Sequence, residues 1–500
     1  MKKGKLTTVF IISVIMSFAF VLWGAFAPDN LSNVTTTIQT FLQLKFGWFY
    51  LISSSIFLIF SIYLIFSRWG KIRLGKDDDQ PEYSLISWFG MLFSAGMGIG
   101  LVFWGVSEPL SHYAVPPFGE PKSEQAAKLA LRYSFFHWGL HPWGIYTVIA
   151  LSLAYFKFRK GVPGVISATF QPLLGDKIHG PIGKIIDIIA VFATIFGVAT
   201  SLGLGAIQIS SGVSYISDIP KTTGVQFIII LIVTVLFMLS AISGLGRGIK
   251  WLSNTNILLA GLLMVFLLFA GPTNFLLNYF TSTLGSYLQN LPKMSFRLAP
   301  FDEQSGQWIQ DWTIFYWAWW IAWSPFVGTF IARVSRGRTI REFVIGVLAV
   351  PTIFSALWFA VFGGSGVYLD KFLGNDVSSV VQKQYEIGLF AVLDYFPMST
   401  VMTLIAILLI SSFFITSADS ATFVLGMQTS NGKLNPSLAI KLCWGVIQSA
   451  AAAVLLFSGG LNALQTASII SAFPFAFILL FMIVSLVKAL KEEQPKQRRY

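Results

Sequence analysis

Long apolar runs alternate with short polar segments along the whole chain. Twelve of these runs have about the 20 residues that a helix needs to cross the hydrocarbon core of a bilayer. A helix satisfies its own backbone hydrogen bonds, so it is the structure expected for such a run in lipid. The pattern predicts an all-α polytopic membrane protein with transmembrane helices at residues 8–27, 47–67, 85–107, 134–156, 182–213, 225–245, 256–280, 312–333, 342–365, 398–427, 436–458 and 463–489.

The basic residues indicate how these helices are oriented. With the N-terminus inside the cell, most of the 34 lysine and arginine residues fall at cytoplasmic helix ends, for example at residues 68–76, 157–184 and 333–341. Cytoplasmic loops of membrane proteins carry such an excess. We therefore expect both short termini to be cytoplasmic, and topology rather than nucleic-acid binding to explain the net charge of +12.

Composition agrees with a single membrane domain over residues 1–500. The chain is 55% hydrophobic and 11% charged, whereas about a quarter of the residues of a soluble domain are charged. Its one cysteine, Cys443, excludes an internal disulfide framework and a cysteine-based zinc cluster. The first apolar run is too long for a signal peptide, so we expect it to be a retained helix.

Two of the predicted helices contain residues that disturb a helix. The third has glycines at alternate positions, Gly96, Gly98 and Gly100, and the eighth contains Pro325. Close helix packing and a simple kink are the alternative explanations. Two broken helices five spans apart are, however, what inverted five-helix repeats would produce, with a substrate bound at the bilayer midplane.

Aromatic residues cluster near both of these helices. Trp320 and Trp323 share a helix face beside Pro325, and Trp143 and Tyr146 have the same spacing on the fourth span. Membrane tryptophans often form an interfacial belt, but these lie well inside their spans and suit a cage. Aromatic faces hold a quaternary ammonium by cation–π contact, and free amides at residues 96–100 could bind a carboxylate. The expected ligand is a zwitterion.

Polar side chains also occur deep in the tenth span. Thr416 and Ser417 could bond to their own helix, but Asp419 close by indicates a pathway or a partner such as Arg333. Hydroxyl and carbonyl oxygens are hard ligands. They favour a sodium site between the third and tenth spans.

Other chemistry is not expected. His137 and His141 share a helix face but lack the intervening glutamate and the third ligand of a zinc enzyme, which favours packing or a pathway role. The chain has no phosphate-binding loop of the Gly-x-x-x-x-Gly-Lys type and no catalytic constellation. We expect neither ATP-driven transport nor enzymatic activity.

Two segments resemble a known family. They are the glycine run at residues 96–100 followed by Glu108 and Pro109, and the tryptophan-rich residues 317–326 followed by the basic residues 333–341. Over essentially its whole length the chain resembles the betaine/choline/carnitine transporters, most closely the sodium-coupled glycine betaine members.

The resemblance implies a fold and an assembly. The family has twelve transmembrane helices, a leucine-transporter-like core of two inverted five-helix repeats, alternating access and commonly a homotrimeric state in the cell membrane. The corresponding division is two peripheral helices over about 8–67, a first repeat over about 85–280 and a second repeat over about 312–489.

The resemblance also implies site residues. For the substrate, it implies an aromatic box above a route lined by Phe326, next to the glycines Gly96, Gly98 and Gly100; the box residues are Trp138, Trp143, Tyr146, Trp320 and Trp323. For sodium, it implies two side chains, Thr416 and Ser417, and three carbonyls, those of Ser94, Met97 and Phe413.

Two features then favour one substrate and ion. Choline carriers of the family tend to have an acidic residue where this chain has Gly100, and the sodium-independent exchangers lack features that Thr416 and Ser417 retain. We expect import of glycine betaine as an osmoprotectant, with sodium as the coupling ion and no cofactor. The alternative is a proton-coupled or exchanging carrier for choline or carnitine. A channel or a membrane enzyme is disfavoured.

Overall fold

The computed structural model describes residues 6–96, 98–243 and 248–493. Within these ranges the chain is helical, with one isolated bridge between Arg73 and Thr339. The first nine helices are α1 (Thr8–Phe26), α2 (Pro28–Phe66), α3 (Leu85–Gly96), α4 (Ile99–Ala114), α5 (Glu124–Trp138), α6 (Leu140–Ala154), α7 (Gln171–Leu174), α8 (Pro181–Ile216) and α9 (Thr223–Ser243). The others are α10 (Gly248–Ala270), α11 (Thr273–Ser295), α12 (Glu303–Trp308), α13 (Phe315–Val334), α14 (Ile340–Leu373), α15 (Val377–Lys383), α16 (Gly388–Leu393), α17 (Ser399–Gln428) and α18 (Leu438–Lys491).

Eight of the described helices are long and apolar enough to cross a membrane, namely α1, α2, α8, α9, α10, α14, α17 and α18. The chain is therefore a multi-pass membrane protein. One straight helix with the 54 residues of α18 would be about 80 Å long, more than twice the hydrocarbon thickness. Gly459 and Gly460 have non-helical backbone angles, and Gly460 has a positive φ of 58°. The segment is thus two helices joined at this point, as predicted.

The third predicted span is interrupted where its glycines lie. Helix α3 ends at Gly96 and α4 begins at Ile99. Gly98 between them is extended, with φ −154° and ψ −172°, and no side chain caps α4. The first amides of a helix have no partner within it. The Leu101 amide donates to the Gly98 carbonyl at 3.2 Å, which leaves the amides of Ile99 and Gly100 for another acceptor.

The eighth predicted span is not broken, so that prediction is wrong. Helix α13 runs through Pro325 without interruption. Proline has no N–H to give to the carbonyl of Ile321, four residues earlier. The Ser324 hydroxyl donates to that carbonyl instead, over 2.7 Å. A side chain therefore replaces the missing backbone hydrogen bond.

Two other predicted spans differ from the structure. The fourth is divided at Gly139, where a Cβ would lie 2.4 Å from the carbonyl oxygen of Phe135. The predicted helix over 256–280 ends instead at Ala270, before Gly271 and Pro272. Helix α11 then follows as a separate element with one buried face. Glycine and proline end these helices although the apolar pattern continues past them.

Helix α13 lies at the centre of the bundle. It packs against α6, α8 and α18. A Cβ on Gly197 of α8 would lie 2.9 Å from the backbone of Ala322, so the two helices approach each other through their backbones. This packing brings the aromatic residues of α13 next to those of α6.

Candidate functional site

Helices α6 and α13 together form a cluster of aromatic rings. The centroid of Tyr146 lies 5.4 Å from Trp143, 6.4 Å from Trp320 and 6.5 Å from Trp323. Trp320 and Trp323 are 6.4 Å apart. The planes of these pairs are inclined by 51° to 82°, so the rings do not cover one another's faces. The four residues that spacing alone placed in a cage are therefore brought together.

The two remaining aromatic residues extend this cluster at its ends. Trp138, the last residue of α5, meets Trp320 edge to face at 4.8 Å. Phe326 lies 5.5 Å from Trp323, one turn further along α13. Of these six residues, five are the predicted aromatic box, Trp138, Trp143, Tyr146, Trp320 and Trp323, and Phe326 is the predicted neighbour of the box. All six are buried.

The interruption in the third span lies against the aromatic box. A Cβ on Gly98 would be 3.6 Å from the Trp323 ring, an ordinary contact distance. A Cβ on Gly100 would be 2.6 Å from the Trp319 ring and 3.1 Å from the Trp138 ring. Gly100 therefore leaves room for two indoles that a side chain would displace. Gly96 is the last residue of α3.

Two members of the box have polar atoms without partners. The Tyr146 hydroxyl and the Trp323 indole N–H are buried and have no hydrogen-bond partner among the described residues. Buried polar groups are nearly always paired in folded proteins. A bound molecule with acceptor groups would supply partners for such atoms.

Glu108 has a buried carboxylate next to the box, and the sequence alone assigned no role to it. Oε2 of Glu108 accepts from the Trp138 indole at 2.7 Å and from the Tyr316 hydroxyl at 2.6 Å. Oε1 lies 2.7 Å from Nδ1 of His137 and 3.2 Å from Nε2 of His112. The available signal was a glutamate in a membrane-spanning run, which is a costly placement.

The residues around Glu108 form a hydrogen-bonded network, and this network makes a second contact with the aromatic box. The Trp320 indole donates to the backbone carbonyl of His137 at 2.9 Å. Nε2 of His137 is 2.9 Å from the Thr313 hydroxyl, which helps to fix the imidazole. Trp138 and Trp320 are thus both hydrogen-bonded to one buried polar group of residues.

This polar group has the residue types of a metal site. One ligand atom from each of Glu108, His112 and His137 lies within 4.8 Å of the others. However, both Glu108 oxygens already bond two partners each, which makes a hydrogen-bonded network the better description. His141, the other histidine considered from the sequence, stacks on Trp317 at 5.0 Å and bonds Ser295. Its role is packing.

The predicted sodium ligands are described only in part. The Thr416 hydroxyl lies 3.0 Å from the Ser412 carbonyl and 3.2 Å from the Phe413 carbonyl, and Asn256 donates to it. Ser417 is half-buried beside it on α17. Of the third-span ligands, Met97 lies outside the described residues, and Ser94 is described only as part of helix α3. The sodium site stays a prediction.

Asp419 has a different partner from the one suggested by the sequence. Its carboxylate accepts from the Ser240 hydroxyl of α9 at 2.6 Å. Arg333 lies instead over the ring of Phe423, 5.4 Å from its centroid. The prediction of an Asp419–Arg333 pair is wrong, because Arg333 is at the last turn of α13 and is directed toward an aromatic ring of α17.

Sequence comparison shows to which family the chain belongs. The model of the BCCT family, described as betaine/carnitine/choline family transporters, matches residues 8–495. The chain belongs to the BCCT family. As a BCCT transporter, it is expected to bind a small-molecule substrate and to lie in a lipid bilayer.

Several BCCT relatives are similar over nearly their full length. The glycine betaine transporter OpuD of Bacillus subtilis is 58% identical, covering 99% of this chain and 96% of the relative. A probable glycine betaine transporter of Desulfitobacterium hafniense is 49% identical, covering 98% and 99%. An ectoine/hydroxyectoine transporter of Virgibacillus pantothenticus is 46% identical, covering 98% and 97%.

Proposed function

We propose that this BCCT transporter imports glycine betaine together with sodium by alternating access. The aromatic box carries the proposal. A quaternary ammonium cannot donate a hydrogen bond, so contact with several ring faces is the favourable way to hold it in a dry site. The inclined rings on α6 and α13 supply such faces.

The rest of the site suits the carboxylate of the same ligand. The first amides of α4 begin at Ile99, next to the box, and the positive end of a helix dipole favours an anion there. The Tyr146 hydroxyl and the Trp323 indole add two unpaired donors. A small zwitterion would therefore meet rings at one end and donors at the other.

The names of the relatives support this substrate. Two of the relatives described above carry names that specify glycine betaine. Another is named for ectoine and hydroxyectoine, so ectoine belongs among the substrates to be tested. Choline lacks a carboxylate and would leave the donors near α4 unpaired. A choline or carnitine carrier is the alternative.

The tenth span supports sodium as the proposed coupling ion. The Thr416 hydroxyl donates back to its own helix, to the carbonyls of Ser412 and Phe413, and accepts from Asn256, so one of its two lone pairs is left for a cation. Sodium bound there and to the carbonyls of Ser94 and Met97 would link α17 to the interruption between α3 and α4. Ion binding would then favour the arrangement of the third span that binds substrate.

We further propose twelve spans, two inverted repeats and cytoplasmic termini. To the eight long helices, four spans are added by the division of α18 at Gly459, by α13, and by the pairs α3 with α4 and α5 with α6. The repeats would cover about 85–280 and 312–489, with two peripheral helices before them. The homotrimer common in the family is proposed on the resemblance alone.

The test is uptake of labelled glycine betaine into proteoliposomes that contain only this protein. We expect uptake with an inward sodium gradient and none when potassium replaces sodium. In the Thr416→Ala/Ser417→Ala double variant, sodium-dependent uptake should be lost. Ser411→Ala is the matched control, because this hydroxyl of the same helix bonds only its own backbone at the Ile407 carbonyl.

Other outcomes would contradict the proposal. Equal uptake in sodium and potassium would indicate exchange or another coupling ion. Uptake of choline or carnitine in place of glycine betaine would favour the alternative carrier. Unchanged sodium dependence in the double variant would contradict the ligand assignment.

A further inference from the structure

We infer that Glu108 is the counter-charge of the aromatic box and the residue that positions two of its walls. It would thereby select a positively charged head group over a neutral group of the same shape. This inference rests on the proposed function, because it concerns the ligand of the same box. Glu108 is a buried carboxylate to which the sequence assigned no role, and this inference gives it one.

The hydrogen bonds around Glu108 favour the ionised form. The four side chains that contact its oxygens can all donate, and the Trp138 indole N–H can do nothing else. An ionised carboxylate accepts several hydrogen bonds and has no donor of its own. Glu108 is fully buried within α4. A negative charge is thus held where the surrounding protein screens it far less than water would.

This charge acts on the box through Trp138. The carboxylate bonds the indole N–H at 2.7 Å, while the Trp138 ring meets Trp320 at 4.8 Å. A negative partner on the N–H makes the indole ring a better partner for a cation, because the cation–π attraction is electrostatic. The negative charge itself also attracts a cation in the box and repels an anion.

The hydrogen bonds around Glu108 also fix the positions of Trp138 and Trp320, which form two walls of the box. Trp320 donates to the carbonyl of His137, whose side chain bonds Glu108. Tyr316 bonds the same carboxylate and stacks on Trp320 at 5.8 Å. Removing the charge should therefore weaken binding of the cation and leave two indoles less well oriented.

The decisive experiment compares two ligands of the same shape. Glycine betaine and 3,3-dimethylbutanoate differ only in the central atom of the head group, which is a charged nitrogen in one and a neutral carbon in the other. Binding of each to the purified full-length protein is measured by tryptophan fluorescence for wild type, Glu108→Gln and Glu108→Asp. The ratio of the two dissociation constants is the readout.

We expect wild type to prefer glycine betaine and Glu108→Gln to lose on the order of tenfold of that preference. Glu108→Asp keeps the charge and should retain most of it. Asp370→Asn makes the same change of carboxylate to amide at a buried residue that bonds the Ser378 backbone, and should leave the ratio unchanged. A purely structural role would weaken both ligands equally, and an unchanged ratio in Glu108→Gln would overturn the inference.

If Glu108→Gln does not fold, a second variant tests the same inference. Trp138→Phe keeps an aromatic ring but removes the N–H that bonds the carboxylate, and it should lower the ratio in the same direction. An unchanged ratio in Trp138→Phe would contradict the route through this residue. If wild type binds neither glycine betaine nor any other quaternary ammonium, the proposed function fails, and this inference fails with it.

Discussion

Tryptophan and tyrosine side chains combine a polar end with an apolar ring, and the polar ends in the aromatic box differ in their partners. Trp138 and Trp320 direct their N–H groups to Glu108 and to the His137 carbonyl, outside the box. Tyr146 and Trp323 have polar atoms that no described residue bonds. The first pair is oriented by the protein, and the second pair is available to orient a ligand.

The two glycines that touch the box should respond differently to alanine. In Gly100→Ala, the new Cβ would lie 2.6 Å from the Trp319 ring, so the rings must move, and glycine betaine binding should weaken by about tenfold. Gly98→Ala is the matched control. Its Cβ would make an ordinary 3.6 Å contact, and its extended backbone accepts any residue. Dissociation constants measured by fluorescence check this, and equal effects of the two changes would contradict it.

At the scale of the helices, hydrophobic length predicts most elements but not their ends. Apolar runs extend through Gly139 and past Pro272, and the helices stop at these residues because the backbone geometry changes there. Pro325 gives the opposite error. The sequence predicts a break, while a hydroxyl from the adjacent Ser324 keeps the helix continuous. This compensation depends on the side-chain rotamer of Ser324, which the pattern of apolar residues does not predict.

The role of Ser324 can be separated from the role of proline. Ser324→Ala should lower stability by about 1 kcal/mol, because the Ile321 carbonyl is then left without a donor inside the membrane. In a Pro325→Ala background the backbone N–H returns, and the same serine change should have little effect. Thermal unfolding in detergent of the single and double variants measures the coupling between the two positions.

A control for this comparison of single and double variants lies on the same helix, α13. Thr329→Val removes a side-chain bond to the Pro325 carbonyl, which also faces the backbone N–H of Thr329 within the helix. This change should therefore have little effect on stability. Equal losses from Ser324→Ala with and without proline would refute the compensation.

At the scale of the whole molecule, the site is assembled from residues that are far apart in the sequence. Glu108 meets Trp138 and Tyr316 across 30 and 208 positions. Spacing on one helix can predict that Trp320 and Trp323 share a face, and it did so. It cannot predict which helices become neighbours, which is why the carboxylate beside the box was not assigned from the sequence.

The C-terminal end of α18 is joined to the rest of the molecule in a similar way. Glu493, just beyond this helix, lies 2.7 Å from Arg159, 2.9 Å from Lys160 and 2.8 Å from the Tyr155 hydroxyl. Arg159 also pairs with Asp77 in the segment between α2 and α3. Glu493 therefore links the end of α18 to residues 155–160, and Arg159 extends this link to Asp77 at the predicted cytoplasmic face.

Acidification should release this link. The hydrogen bond from Arg159 holds the pKa of Glu493 down at about 2, so its stabilising effect is present above the ordinary glutamate pKa and is lost as the pH falls from about 5 toward 2. Glu493→Gln should lower stability at neutral pH by on the order of 1 kcal/mol, and the difference from wild type should shrink as the pH falls through this range. Glu492→Gln, at the exposed neighbouring residue, is the matched control and should follow wild type throughout. Thermal unfolding measured from pH 7 downward tests this, and a difference between wild type and Glu493→Gln that did not depend on pH would show that the charge of Glu493 is not what joins these segments.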